Sequence, residues 1–405
     1  MDSSQDWIGK ARALTPLLAA AAPRIEEGKS LPADVLDALH GARMFRMLLP
    51  RSLDGAELDL ATFFQVILAI AEGDASAAWC VVQNSGCSLS AAYLSPEVAR
   101  EVFGGARDVL AWGFPAGGPC RAHAVEGGWK ITGSWGFGSG NRHATWLGGH
   151  CQLIDAAGKP VKHPDGAPVE RTMLFPRKSA TIRDNLWDVV GLRGTGSDTY
   201  AVTDLFVPAS HAIVARATGR DQGQGDGPTD ADAERREKGA LYKFTGTNVY
   251  QCGFAAVGLG IARAMLTSFT ELAKKKAPSG ATVPLRDDHW VQSRIAMSEA
   301  RLGSARAWLQ QLLVEMRQEV ERAGRISFDQ RVRLRLAATY AIHEARLVVE
   351  DAWADAGATA IFESNPFERR MRDMHAVSQQ IQASAAHFQT VGQYFLGLQP
   401  SARFL

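Results

Sequence analysis

Little in this chain of 405 residues suits a nucleic-acid or membrane partner. Its 44 lysines and arginines are matched by 43 aspartates and glutamates, a net charge of +1. No basic field is left over for a phosphate backbone or an anionic lipid surface. No window reaches the roughly 18 consecutive apolar residues expected of a membrane span. The opening residues, MDSSQDWIGKARAL, lack the basic stretch and apolar run of a secretion signal. The five cysteines (Cys80, Cys87, Cys120, Cys151 and Cys252) form no Cys-x-x-Cys pair and no metal-like spacing with histidine. They read as reduced, mostly buried thiols of a cytoplasmic protein, and no metal site is expected. Gly-x-Ser-x-Gly, His-Glu-x-x-His and the P-loop are missing, and the ten histidines are scattered. The glycines of GLRGTGS do not open a helix after a strand in a βαβ unit, which makes a Rossmann reading poor. What remains is a soluble, enzyme-sized chain, long enough for two or three domains with a substantial core.

What is present changes character along the chain. Residues 6–110 carry helical spacing: Ile8, Ala11, Leu14, Leu18 and Ala21 share a stripe, Pro32 stands at a helix start, and Ala61–Val82 is long and apolar. From Asp108 short extended runs alternate with glycine-rich turns, as in a small barrel or sandwich. After Leu241 helical spacing returns, with Ile295, Leu302, Ala305, Leu309, Leu312 and Met316 three and four apart. Another helix is expected over Phe328–Ala356 and a last one near Pro366, together a bundle. The expected domains are a helical domain at 1–109, a β-barrel domain at 110–212, a mobile loop at 213–240 and a helical bundle at 241–405. Residues 216–238 are polar and glycine-rich, a surface loop by composition, with a lid over a substrate entrance as the functional alternative.

The stretch Gly127–Leu153 (GGWKITGSWGFGSGNRHATWLGGHCQL) organises the rest. Trp129, Ile131, Gly133, Trp135 and Phe137 alternate with polar or small residues, the period of a strand with one buried face. A Gly-Ser-Gly follows, in which Gly138 and Gly140 let the backbone approach a flat ligand. A second strand is expected at Ala144–Leu153. A plain β-hairpin with a glycine-rich turn accounts for the same spacing.

Together with Trp187–Pro208 (WDVVGLRGTGSDTYAVTDLFVP), this stretch resembles the middle β-domain of the acyl-CoA dehydrogenase fold, and within it the branch of two-component (group D) flavin-dependent monooxygenases. Asn365–Gln382 (NPFERRMRDMHAVSQQIQ) resembles the family's C-terminal motif R-x-x-R-D-x-H-x-x-x-Q-H, on which Arg369, Arg372, Asp373, His375 and Gln379 fall. The likeness extends over nearly the whole chain. It implies a mainly α protein with a central β-barrel and a C-terminal four-helix bundle, assembled as a homotetramer. The terminal FLGLQPSARFL would dock on a neighbouring copy. It further implies reduced FMN or FAD supplied by a separate flavin reductase, reaction with O2 to a C4a-hydroperoxide, and transfer of one oxygen to a small organic substrate, aromatic or at a heteroatom. By the same resemblance Trp112 and Phe114 border the flavin ring, and Ser139 bonds near its N5. Gly140, Trp187, Arg372 and Gln379 complete the cofactor contacts, and Asn84, Cys87 and Gln380 line the substrate side with Ser139. Trp79 stands near the flavin face or is core packing. Arg372 and Asp373 have an ion pair at a subunit interface as their alternative role, and Lys274–Lys276 meet a phosphate or are simply solvated.

Two departures shape the expected reaction. Acyl-CoA dehydrogenases take a proton with a carboxylate after the C-terminal Arg-Asp, but the segment here reads AVSQQIQAS, and the alternative base position falls near Tyr250. Phenol hydroxylases of the branch carry two histidines whose positions here read Cys87 and Gln380; glutamine can hydrogen-bond a substrate but cannot take its proton. His375 points away from Gln380 on its helix. The expectation is a monooxygenase whose substrate needs no enzyme base, such as an amine, a sulfur nucleophile or an acidic enol. The alternatives are a dehydrogenase or oxidase of CoA thioesters with bound FAD, and a non-catalytic flavin binder.

Overall fold

The computed structural model describes residues 4–163, 166–183, 187–214, 234–277, 280 and 283–400. The expected mobile loop falls largely on residues 215–233, outside the described residues, as do the last five residues of the terminal apolar segment.

Five helices come first: α1 (Ser4–Glu27), α2 (Ala33–Gly41), α3 (Leu60–Gly73), α4 (Ala75–Ser88) and α5 (Pro96–Phe103). The long apolar run around Ala61–Val82 is divided by Asp74. That residue is extended (φ −151°), ends α3, and accepts from the Ala77 N–H to cap α4. Asp59 caps α3 in the same way through the Thr62 N–H.

The chain then forms one nine-stranded sheet: β1 (Leu110–Trp112), β2 (Phe114–Pro115), β3 (Arg121–Val125), β4 (Gly128–Gly136), β5 (Trp146–Ile154), β6 (Glu170–Pro176), β7 (Thr181–Arg183), β8 (Thr199–Pro208) and β9 (Ala212–Val214). The strand order is β7-β8-β4-β3-β5-β6-β9, with β1 added beside β5 and β2 beside β4. The hairpin alternative for Gly127–Leu153 is therefore wrong: β3 lies between β4 and β5, antiparallel to the first and parallel to the second. The glycine-rich segment is a crossover. Its end strands β7 and β9 do not pair among the described residues, so closure is not by hydrogen bonds. Instead the sheet curls around Trp135, which is fully buried. Its ring lies 5.6 Å from Tyr200 of β8 and 6.1 Å from Phe175 of β6, strands from opposite sides of the order.

Among the described residues five long helices follow: α6 (Gly246–Ala273), α7 (His289–Ala323), α8 (Phe328–Ala356), α9 (Phe367–Ser378) and α10 (Ala386–Phe395). Contrary to the sequence expectation, α6 holds an 18-residue window with a mean hydropathy of 1.5, enough by composition to cross a membrane. That window is 83% buried inside the fold. The helix packs on α3, α4, α8 and α9, and small residues admit the close approach. A Cβ on Gly260 would sit 2.5 Å from the Ala71 Cβ, and one on Gly253 2.6 Å from Val82. α6 is thus the core helix on which both helical parts pack.

Candidate active site

A cavity of about 660 Å³ opens where α4, β1–β2, the segment after β4, the loop 187–197, the start of α6 and the end of α9 converge. One wall is a row of aromatic rings. Trp79 stacks on Phe254 with centroids 3.9 Å apart, and Phe254 stacks on Tyr250 at 5.6 Å. At the mouth Phe137, 67% exposed, meets Trp187 edge to face at 5.9 Å. Phe137 has a φ of +58°, a conformation that costs a non-glycine residue on the order of 1 kcal/mol or more and is held only where the surroundings impose it. The strain turns the ring out of the strand's buried face and into the cavity mouth. That is why the sequence alternation through Trp135 does not continue to Phe137.

Across from these rings runs a chain of buried hydroxyls. Ser139 Oγ accepts from Trp79 Nε1 at 3.0 Å and lies 2.7 Å from Ser197 Oγ. Ser197 Oγ is 2.7 Å from Thr195 Oγ1, which donates to the Leu192 carbonyl at 2.8 Å. Because the Leu192 carbonyl can only accept, the donors run from Ser139 to Ser197 to Thr195, and Ser139 Oγ keeps an acceptor lone pair for the cavity. The loop behind it is fixed by Asp373, whose Oδ1 accepts from the Leu192 N–H at 2.6 Å. Burial pushes this carboxyl up to about 7, against the Leu192 hydrogen bond and the charge of Arg369. Asp74, also buried, rises to about 6.

Six of the expected site residues line the cavity: Ser139, Trp112, Phe114, Trp187, Gln379 and Gln380. Gln380 is partly committed, since its Oε1 accepts from Gln382 N–H and caps a short turn. Four expected residues lie elsewhere, and each for a physical reason. Asn84 is buried against the sheet, its Nδ2 donating to the Leu110 carbonyl and its Oδ1 3.0 Å from His143 Nε2. Burial lowers that imidazole to about 3, so the pair is neutral. Cys87 sits behind Tyr250, its thiol pushed up by burial and hence no nucleophile. Gly140 has a φ of +79°, and an added Cβ would strike the Asn84 side chain at 2.6 Å. Its glycine answers internal packing and not the approach of a ligand. Gly138 likewise abuts the Tyr200 ring. Arg372 lies off the cavity, bound to Glu26 at 2.5 Å, Glu368 at 2.7 Å and the Val190 carbonyl. Among the described residues Arg372 and Asp373 do not pair with each other; each anchors the 187–197 loop from below.

Trp79 is both core packing and cavity wall. His375 pairs with Glu350 and lines no part of the cavity. Lys276 bonds the Ala356 carbonyl and Thr359. Several lining residues were missed, among them Gln83, His150, Ser197 and Phe254. Gln83 had a signal, standing four residues after Trp79 on one helix face, and Ser197 closes the GTGS run. His150 had none, because β5 is buried on both sides.

No Asp, Glu, Lys or Arg lines the cavity among the described residues. The titratable side chains there are His150 and Tyr250. His150 Nδ1 is 2.8 Å from Thr172 Oγ1, and burial holds the Tyr250 phenol well above its ordinary value. A carboxylate base for proton abstraction is thus absent from the described wall.

Fold and cavity define the class first. Residues 252–385 match the family described as acyl-CoA dehydrogenase, C-terminal domain, and the chain has that fold. The solved structure of XiaF from Streptomyces sp. in complex with FADH2 and glycerol superimposes with a TM-score of 0.85 and 23% identity, over 98% of this chain and 96% of that one. An indole-3-acetate monooxygenase of Pseudomonas putida is 29% identical over 93% of this chain and 90% of its own length. The oxygenase subunit HsaA of a flavin-dependent monooxygenase from Rhodococcus jostii is 28% identical over 90% and 91%. The chain thus has the acyl-CoA dehydrogenase fold and is similar over nearly its whole length to proteins named as flavin-dependent monooxygenase oxygenase components.

Proposed function

We propose that the chain binds reduced FMN or FAD in the 660 Å³ cavity and uses O2 to place one oxygen atom on a small organic substrate, at an aromatic or heteroatom centre. The observation that carries this reading is a cavity with aromatic walls and a buried hydroxyl relay at Ser139, without a carboxylate among its described residues. These residues fit a flavin: a tricyclic ring needs flat apolar faces and a few hydrogen bonds at its edge. Phe114, Trp112, Phe137, Trp187 and Gln379 would hold the ring, with Ser139 at its polar edge. When bound, reduced flavin supplies two electrons and activates O2, so that substrate, O2 and two protons yield hydroxylated or oxidised substrate and water.

The chain's own contribution is placement and exclusion of water. The stacked Trp79–Phe254–Tyr250 row offers a dry surface for a flat substrate. Ser139, fixed by Trp79 and Ser197, presents an acceptor oxygen at one place without moving. XiaF was solved with FADH2, which supports the cofactor class. A separate flavin reductase as supplier belongs to the same proposal. So does a homotetramer, supported by the exposed Trp290, Met297 and Trp308 along α7. A cytoplasmic location is supported by five free, buried cysteines.

The test is rapid mixing of protein loaded anaerobically with reduced flavin against oxygenated buffer, with and without an aromatic substrate. The expected result is a transient near-ultraviolet absorbance before the oxidised flavin's visible band returns. Ser139→Ala should shorten that transient and raise hydrogen peroxide release about tenfold, the loss of one positioned hydrogen bond in a dry site. Direct return of oxidised flavin under both conditions, with reduction of bound FAD by an acyl-CoA thioester, would replace this reading by the CoA-ester dehydrogenase.

A further inference from the structure

The relatives do not fix which compounds this cavity accepts, but its wall does. Beside the aromatic row, across from the hydroxyls of Ser139, Thr195 and Ser197, two polar side chains of the wall meet. Gln83 Nε2 donates to the Trp112 carbonyl at 3.3 Å and to Tyr250 Oη at 3.4 Å. Because a carbonyl can only accept, the amide's orientation is set, and Nε2 is spent on these two partners and on Cys87 Sγ at 3.7 Å. The second polar atom, Gln83 Oε1, has no donor within hydrogen-bonding distance among the described residues. The Tyr250 hydroxyl stays protonated because burial holds it so. Both residues line the cavity on the side of Phe254 and Trp79.

The remainder of the described wall has neither cation nor anion. A carboxylate brought into such a surface loses its hydration and finds no lysine or arginine in exchange, a penalty far larger than that of a neutral N–H or O–H. His150, also on the wall, has its Nδ1 2.8 Å from Thr172 Oγ1 and its ring edge-on to Trp112 at 5.6 Å.

We propose that the Gln83–Tyr250 pair is the substrate-recognition site of this cavity, and that it selects uncharged planar aromatic compounds carrying one ring N–H or O–H while rejecting carboxylate-bearing ones. This rests on the monooxygenase reading for the reaction and departs from the P. putida relative, which is named for indole-3-acetate. The flat ring lies along the Trp79–Phe254–Tyr250 row, and its N–H or O–H is taken by Gln83 Oε1 beside the Tyr250 hydroxyl. Gln83 is here the specificity-determining residue, and Tyr250 holds its amide and is not a base.

The test is equilibrium binding to FAD-loaded protein at about pH 8, where an ordinary imidazole is neutral, with three probes: indole, its carbocyclic analogue indene, and indole-3-acetate. Indole is expected to bind at least tenfold more tightly than indole-3-acetate, and about three- to tenfold more tightly than indene, the share of one hydrogen bond. Gln83→Met, which removes the acceptor, should abolish most of the indole-over-indene preference and leave indene binding unchanged within twofold. A merely structural role would weaken both probes together. Tighter binding of the acid, equal weakening of indole and indene by Gln83→Met, or failure of indole to bind would each overturn the proposal. Protein that shows the flavin transient yet prefers the acid keeps the monooxygenase reading and loses this one. Protein that ranks the probes as expected but shows no transient loses the reaction and keeps the recognition site.

Discussion

The two sides of the loop between Trp187 and Asp198 could hardly differ more in charge. Toward the cavity it presents Leu192, Thr195 and Ser197, and the described wall there is neutral. Behind it lie Asp373 under the Leu192 N–H, Arg372 between Glu26 and Glu368, and Arg142 clasping the fully buried Asp198 at 2.6 Å. Ions below a surface are tolerable only when partners replace the lost water. The fold therefore places its charges where they can grip one loop's backbone. It keeps them from the side where an apolar ring must be desolvated. The loop is a partition, and each residue holding it can be tested.

The largest expected effect concerns Asp373. Its carboxyl stands at about 7 in the folded protein against an ordinary 3.8, burial being the main cause. The folded state thus keeps a proton that the unfolded chain releases. The contribution of this group to stability is fully present below about pH 4, is lost as pH rises from 4 to 7, and does not change above. The rise from 3.8 to about 7 corresponds to about 4 kcal/mol. Asp373→Asn retains an acceptor for the Leu192 N–H but cannot ionise. Urea unfolding between about pH 4 and pH 8 should show that most of this decline disappears in the variant, leaving the smaller part due to Asp74, which stands at about 6. An unchanged slope would mean that Asp373 is not held as a buried acid.

A smaller effect is expected from Gly191→Ala. A Cβ there would fall 2.1 Å from the Arg372 carbonyl oxygen, against backbone that has no flexible end to yield. Overpacking of this kind costs about 2 to 3 kcal/mol. Because the loop carries Leu192 and Thr195 into the cavity wall, flavin affinity should fall with stability. A variant as stable as the parent would show that the loop is not seated on α9.

How far the sequence foretold this partition can be read from single residues. Alternation and turn chemistry located the strands, and helical spacing located the long helices, because each signal is local. Trp112, Phe114, Ser139 and Trp187 were legible as cavity residues through the motifs that contain them. The hairpin alternative failed because β3 inserts between β4 and β5, a pairing that no local pattern encodes. Asn84 shares a helix with Trp79 but turns toward the sheet, and Cys87 lies behind Tyr250, whereas Gln83 meets Tyr250 from the cavity wall. Gly140 advertises a close contact without naming the partner, which is Asn84. Motif position fixed the neighbourhood of Arg372; its direction depended on Glu26, which lies far away in sequence.

Arg372 supplies the smallest expected effect, and one whose value lies in what stays unchanged. As a cofactor ligand it would be needed for flavin affinity; as an anchor under the loop it contributes ion pairs at partly exposed positions, with side chains 26% and 24% exposed for Arg372 and Glu26. Pairs so placed contribute about 1 kcal/mol at most, reduced further by salt. Arg372→Ala should therefore lower unfolding stability by about 1 kcal/mol, with a smaller loss in high salt, while the flavin dissociation constant changes less than twofold. Arg372→Lys should recover part of the stability, since a single ammonium can face one of the two carboxylates but cannot span both as the guanidinium does. A tenfold loss of flavin affinity at unchanged stability would instead place the guanidinium on the cofactor, and the neutral side of the partition would then have a charge at its edge.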